Sequence, residues 1–566
     1  MIEGIDALHI PITRPKLWPD TGAALTGAAV LAVALIVGLA TAADYGITID
    51  EFNTDDYGPK ALAWYTSGFT DRSQFETVEF SLWYYGPWFQ MLAAFVQSLK
   101  LGDHLTVRHA VTFVAGLAGI AALLPIAWLS VGCWAGPIAV GLCLITGYLY
   151  GSLFFTPIDV PFLAAMSWAT LAILAMARQV VPTWPATLFT GLTTGLAIAT
   201  RTGGIITHAY LIGAMFLCAL EALILNGRGA RPQLLAITIR TGAVIVLSWS
   251  TAIALWPWLQ IGNPFTQFEI AFVHFATIPM SFSFPTWGRD VMTNELPWFY
   301  IPGQWLARLP EPFLALLVIA VVFALAKIFW LASVAFARFG NRGLMGLCGP
   351  ALLLARGRRI LLIWAAVVAP LGFLIVQHAT LYDGIRHTLF LIPMLAVLAG
   401  WAAIRLIPYL RQVAIPVAVL SAIYVIAVVA NLTMLHPLEY IATNALTGGT
   451  PTAYDRFELD YWSAAGTEAL RRLERLLDAA GAIGSNPPSI LICIPYREEM
   501  AQLMLRENWR IELNVKKADF VIETSRDRCA DNNRELALVD EVRRFDRTFA
   551  WTYVNRASRF VEIIRH

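Results

Sequence analysis

The chain has 566 residues, 58% of them hydrophobic and only 14% charged. That much apolar surface cannot be hidden from water in one soluble protein, so the composition excludes a soluble globule and points to a bilayer as solvent. A net charge of +1 offers no basic surface for nucleic acid, while 20 Trp and 17 Tyr suit membrane–water interfaces.

The N-terminus is polar and shows no charged-then-apolar cleavable leader, so the first apolar run, 22–43, is expected to be an uncleaved membrane helix. A span needs about 20 apolar residues to cross a ~30 Å core. Further runs near that length fall at 109–130, 134–150, 158–177, 185–200, 204–225, 234–256, 311–335, 360–377, 387–404 and 412–435, which predicts eleven spans. A shorter run at 86–99 begins Gly86-Pro87 and ends in a polar stretch, so it reads as a helix lying on the interface.

Basic residues in short loops set orientation. Arg228 and Arg231, then Arg338, Arg342, Arg356, Arg358 and Arg359, then Arg405 and Arg411, all fall on one side of an eleven-span chain. Taking that side as cytoplasmic puts the N-terminus inside. Residues 44–108, 257–310, 378–386 and everything after 436 then lie outside.

The chain changes character at His436. The tail holds nearly half of all charged residues in under a quarter of the length. "TEALRRLERLLDAAG" has helical periodicity and stops at a glycine. "SILICI", "ADFVIE" and "FAWTYVNRASRFVEIIRH" read as strands, the last with a turn in "NRAS". The expected organisation is a membrane domain, 1–435, with a first outer loop at 44–108, followed by an extracytoplasmic α/β domain, 436–566. Tyr454–Trp462 reads as an aromatic anchor of that tail on the membrane. Cys493 and Cys529 fall in it, either as two buried thiols or as a disulfide across the domain. No Cys/His cluster suggests a structural metal.

The first outer loop opens with "DYGITIDEFNTDDYG", which carries Asp44, Asp50, Glu51, Asp55 and Asp56. Asp50 and Glu51 lie just past the membrane exit between apolar neighbours, where a carboxylate's pKa rises and it can serve as a base. Asp55 and Asp56 read as solvated loop acids. Other polar groups stand at other outer boundaries: Asp159 in "FFTPIDVPF", Arg201 in "ATRTGG", and Asp383, Arg386 and His387 in "LYDGIRH". Ionisable groups at bilayer depth are costly and suggest a functional site. Acids with Arg and His converging on one region suit a general base beside an anionic leaving group. A transporter of a lipid-linked or small anionic substrate is the alternative; it would show paired halves or broken helices near the midplane, and no repeated half is visible.

These residues carry a resemblance. "IDEFNTDDYG", "LWYYGPWFQML", "TPIDVPF", "LPWFYIPGQWLARLPEP", "YDGIRHTLFLIP" and "HPLEYIATNALTGG", in this order, resemble the GT-C class of integral-membrane glycosyltransferases, in particular bacterial relatives of protein O-mannosyltransferases and of lipid A aminoarabinose transferase. The resemblance implies transfer of a sugar from a polyprenyl-phosphate carrier to a lipid, polysaccharide or protein acceptor on the outer face, usually with inversion. It implies Asp50 as the base, Glu51 as its paired residue, and Asp159 as a second acid that binds acceptor or a divalent cation. Arg386 and His387, with Arg201 and Lys60, are the donor-phosphate candidates. Where many relatives carry a lysine before the second acid this chain has Ile158, so the charge must come from elsewhere or the donor differs. No nucleotide loop and no certain cofactor is implied.

Overall fold

The structure is a computed structural model that describes residues 20–482, except 77–78, 278–280 and 343–347, and residues 487–564, except 496, 507 and 531–532. The expectations for the N-terminal 19 residues, and for the side chains of Arg338, Arg342 and Arg356, lie outside the described residues.

Every apolar run expected as a span is helical, but not all are full crossings. Among the described residues, eight stretches are long and apolar enough to cross a membrane, or nine if a bent pair counts as one. The eleven expected runs map onto these stretches, with two of them inside Thr202–Leu255, one in the bent pair and one in the shorter Trp184–Ile198. The bent pair is Ala135–Leu144 and Gly147–Phe155, turned by 71° at Ile145-Thr146. The packing at the break needs a glycine, because a Cβ on Gly147 would sit 2.4 Å from Leu432 and 2.7 Å from Ala442. Trp184–Ile198 has 15 residues and falls short of a full span. One of the eight, Thr202–Leu255, runs 54 residues and would reach about 80 Å as one rod. Gly227 at φ 52° divides it into Ile206–Asn226 and Arg231–Leu255, which pack on each other.

The helix Asp159–Met176 is buried on nearly all sides and fixes the two ends of the bundle. Asp159 opens it. At its far end Arg358 Nε donates to Ala177 O at 2.6 Å, and the same guanidinium pairs with Glu221. The basic loop and the acid–arginine cluster thus occupy opposite ends of one 18-residue helix, about 27 Å apart.

The stretch expected as the first outer loop is largely helix, Ile49–Thr66. Thr48 caps it: the hydroxyl accepts from Glu51 N, and Glu51 Oε2 accepts from Thr48 N at 3.0 Å. This reciprocal box satisfies two donors that a helix start leaves orphaned. The interfacial run forms the helix Trp88–Ser98. Gly86 lies so close to Ala199 that a Cβ would come within 1.5 Å of its carbonyl oxygen. A small hairpin, β1 (Ser283–Thr286) with β2 (Arg289–Met292), lies between the later spans.

The C-terminal sheet contains β3 (Ser489–Cys493), β4 (Arg510–Ile511), β5 (Phe520–Thr524), β6 (Leu536–Arg544) and β7 (Arg547–Asn555), ordered β4-β3-β5-β7-β6. The β3 pairings are parallel, and β7 is antiparallel to both its neighbours. The amphipathic helix Ala465–Ala479 covers β5 to β7, and Gly481 at φ 62° follows its end. Two expectations change. β6 was not anticipated, because its charged, half-exposed residues break the apolar alternation. The last segment is a short helix, Phe560–Ile564, rather than a strand. Cys493 and Cys529 form a disulfide with Cα atoms 5.7 Å apart, which resolves the open pairing in favour of a bridge.

Candidate functional site

Four element ends meet through their side chains: the start of Ile49–Thr66 (Asp50), the start of Asp159–Met176 (Asp159), the turn after Trp184–Ile198 (Arg201), and the turn leading into Ile392–Leu406 (Arg386). Arg386 stands at their centre. Its Nη2 lies 2.5 Å from Asp50 Oδ2, its Nε 3.0 Å from Asp159 Oδ2, and its Nη1 2.9 Å from Asp383 Oδ2. Three carboxylates thus share one guanidinium fork, and Arg201 pairs with the other oxygen of Asp159. Desolvated charges at this depth persist only when paired this closely. Asp50 and Asp159 also occupy first turns of their helices, where the helix dipole favours a negative charge.

Asp50 keeps about a fifth of its side chain exposed (21%). Burial pushes its carboxyl above the usual carboxylate range; the Arg386 charge opposes this, and the nearby Asp159 and Asp383 charges add to it. Trp462 Nε1 donates to the same Oδ2 at 3.2 Å, and the Arg386 guanidinium lies 5.9 Å from the indole ring and 5.9 Å from the Tyr382 ring. His387 turns its ring edge-on to Tyr382 at 4.6 Å and leaves Nδ1 buried without a hydrogen-bond partner among the described residues.

The structure therefore brings Asp50, Asp159, Arg201, Arg386 and His387 together, and adds Asp383. It places Glu51 and Lys60 elsewhere. Glu51 is completely buried on the next face of its helix, 2.9 Å from His109 Nε2 and engaged in the capping box. Lys60 pairs with Asp56, one turn away on the same helix. Asp55 is not the solvated acid expected. It accepts from His104 at 2.7 Å, from Gln97 at 3.1 Å and from the buried Arg108 at 3.2 Å, with the His104 hydrogen bond the largest of the influences that hold its pKa down against burial. Asp56 remains exposed.

The segment read as a membrane anchor is a wall of the site, which corrects that expectation. Tyr461 and Trp462 are buried. Tyr148, just past the helix break, donates to Asp383 O at 2.5 Å and shares a 2.6 Å hydrogen bond with the Tyr461 hydroxyl. Asp460 accepts from Ala464 N and from the Tyr440 hydroxyl, and burial pushes it up to about 7. Sequence reasoning also missed Arg308 and Arg526, which flank Glu458. Arg308 Nη2 donates to Glu458 O at 3.3 Å, while Arg526 Nε lies 3.7 Å from Glu458 Oε1 and its Nη1 donates to Tyr461 O. Arg308 falls inside the quoted "LPWFYIPGQWLARLPEP"; Arg526 had no sequence signal, because the tail is uniformly rich in charge.

A divalent cation does not fit this donor set. Both Asp159 oxygens and one oxygen each of Asp50 and Asp383 are engaged by guanidinium groups. Among the described residues no three His, Cys, Asp or Glu side chains gather as metal ligands.

No protein-family model and no curated protein sequence matches the chain. Among solved structures the chain is similar to several proteins over most of its length. One is ArnT from Cupriavidus metallidurans bound to undecaprenyl phosphate, at 16% identity over 95% of this chain and 99% of that one, with a TM-score of 0.46. The apo state of the same protein gives 14% identity over 93% and 97%, with a TM-score of 0.48. The Archaeoglobus fulgidus oligosaccharyltransferase in its apo form gives 11% identity over 87% of this chain and 65% of that one, with a TM-score of 0.42.

Proposed function

We propose that this chain is a membrane glycosyltransferase that takes a sugar from a polyprenyl-phosphate carrier and hands it to an acceptor at the outer face. The observation that carries the reading is Arg386 held among Asp50, Asp159 and Asp383 at the end of the bundle opposite the basic loop. A lipid-borne sugar phosphate presents its reacting bond at headgroup depth, and the cluster sits at element ends rather than mid-span.

The chemistry follows from the geometry. An incoming phosphate competes with the carboxylates for the Arg386 fork, which matches phosphate in bidentate fashion. Arg201 lies on the far side of Asp159 and supplies a second cation, standing in for the lysine that Ile158 replaces. Once phosphate takes the fork, Asp50 is released from its ion pair while Trp462 keeps hold of Oδ2. A carboxylate freed in this way accepts the acceptor's proton as the nucleophile attacks C1. Attack from the face opposite the phosphate inverts the anomeric centre. The sugar–phosphate bond breaks, and the charge that develops on the leaving phosphate rests on Arg386 and Arg201.

Transfer from a synthetic polyprenyl-phosphate sugar by purified protein in detergent tests the reading. Loss of a hexose, pentose or amino-sugar increment from the envelope of cells lacking the gene would name donor and acceptor. No transfer with any carrier-linked sugar, together with carrier-phosphate binding that is unchanged in Arg386→Gln, would overturn it.

A further inference from the structure

A buried guanidinium needs an anion. Arg308 is only 3% exposed, yet no carboxylate lies within ion-pair distance of it among the described residues. Its Nε donates to Gln304 Oε1 at 3.1 Å and its Nη2 to Glu458 O, while Nη1 is buried with no hydrogen-bond partner. The group is nevertheless firmly placed. It stacks 4.6 Å from the Tyr148 ring centroid, and it packs so tightly on Gly384 that a Cβ there would lie 3.0 Å from Nε.

Arg526 approaches the same spot from the C-terminal domain. It lies on the segment that follows β5, three residues before Cys529, whose disulfide ties that segment back to β3. Among the described residues its one close hydrogen bond goes to the Tyr461 carbonyl. Asp383 Oδ1 at 3.8 Å and Glu458 Oε1 at 3.7 Å are both beyond hydrogen-bond reach. Asp383 therefore stands between two arginines: Oδ2 is taken by Arg386, while Oδ1 faces Arg526 and is buried without a hydrogen bond. Asp460 is already engaged by the Tyr440 hydroxyl and by the Ala464 and Ala465 backbone N–H groups, and among the described residues Glu458 approaches only Arg526 with its carboxylate, at 3.7 Å.

We propose that Arg308 and Arg526 form a second anion-binding subsite beside Arg386, which takes a phosphate group of the molecules that meet at the site. Two sources share that chemistry: a second phosphate on the carrier, making the donor a polyprenyl diphosphate, or a phosphate on the acceptor. The proposal rests on Arg386 being the residue that holds the donor's first phosphate. The C-terminal domain then contributes directly to substrate recognition, through one arginine held in place by a disulfide.

The test uses the full chain in detergent with three probes: polyprenyl monophosphate, polyprenyl diphosphate, and inorganic phosphate added to protein saturated with the monophosphate. Arg526→Gln is the informative variant, since Arg526 is a quarter exposed (24%) and its replacement leaves no buried void. If the subsite serves the donor, wild type binds diphosphate about tenfold or more tighter than monophosphate, and Arg526→Gln erases the preference. If it serves the acceptor, the two carriers bind alike, but inorganic phosphate binds the saturated wild type about tenfold or more tighter than Arg526→Gln. Arg526→Lys should recover part of either effect, because it keeps the charge and loses the fork. Equal behaviour of wild type and Arg526→Gln toward all three probes overturns the proposal. Failure of the underlying donor-site reading looks different: monophosphate binding would then be insensitive to Arg386→Gln.

Discussion

At the scale of single residues the site is an arginine over-supplied with acids, and that imbalance has measurable consequences. Asp50→Asn keeps size and hydrogen bonding but removes the base, so turnover should fall by about 10² or more. Carrier-phosphate binding should hold or tighten, because a competitor for Arg386 is lost. Asp56→Asn is the appropriate control, being exposed; Asp55→Asn is not, since it strips the partner from buried Arg108. The pH profile follows from the raised Asp50 carboxyl. A base works only when deprotonated, so kcat/KM should rise with pH through an acidic limb placed above the ordinary carboxylate range. Arg386 opposes that elevation, and Arg386→Gln should therefore shift the limb to higher pH as well as weaken binding. A limb that stays put in Arg386→Gln would separate Asp50 from the arginine functionally. Asp50 was legible in the sequence because acids among apolar neighbours are costly. Trp462 was not, because an aromatic in a linker looks the same whether it lies on lipid or donates to a carboxylate.

At the scale of elements, the helix Ile49–Thr66 shows how adjacent acids divide their work. Successive residues point about 100° apart on a helix, so Asp50 faces the arginine while Glu51 turns inward to His109. Glu51 is thus built into the helix start rather than the chemistry. Glu51→Ala removes one bond of the capping box and a buried partner of His109, and should destabilise by about 2–4 kcal/mol. The thermal transition in detergent should drop markedly, while turnover per folded molecule, measured well below the transition, stays within a few-fold of wild type. A hundredfold loss in folded protein would return Glu51 to the reaction. Sequence spacing alone did not separate these roles, because a loop was expected where Thr48 and Glu51 together start a helix. Membrane helices were legible from their apolar runs. The break at Ile145-Thr146 was not, since the run 134–150 is mostly apolar and the close approach of Leu432 and Ala442 to Gly147 at the break joins residues far apart in the chain.

At the scale of the whole molecule, the cluster, the basic loop and the disulfide constrain one another. Arg358 and Asp159 lie at opposite ends of a single buried helix, so whichever compartment holds one excludes the other. The site end also holds the C-terminal sheet, joined through Trp462 to Asp50 and through Arg526 to Asp383, and that sheet carries the Cys493–Cys529 bridge. A stable disulfide belongs to an oxidising compartment, and a run of arginines belongs to the cytoplasmic side. We propose the orientation that satisfies both criteria, which does not depend on whether the short helix Trp184–Ile198 and the bent pair each count as a crossing. Reporter fusions after Arg359 should therefore read cytoplasmic and fusions after Ile564 should read outside. Thiol labelling of the denatured, unreduced protein from the native membrane should miss Cys493 and Cys529, and reduction should expose both. If the two fusions report the same side, or if both cysteines label without reductant, the sheet does not stand in the oxidising compartment, and the transfer reaction has been assigned to the wrong face of the membrane.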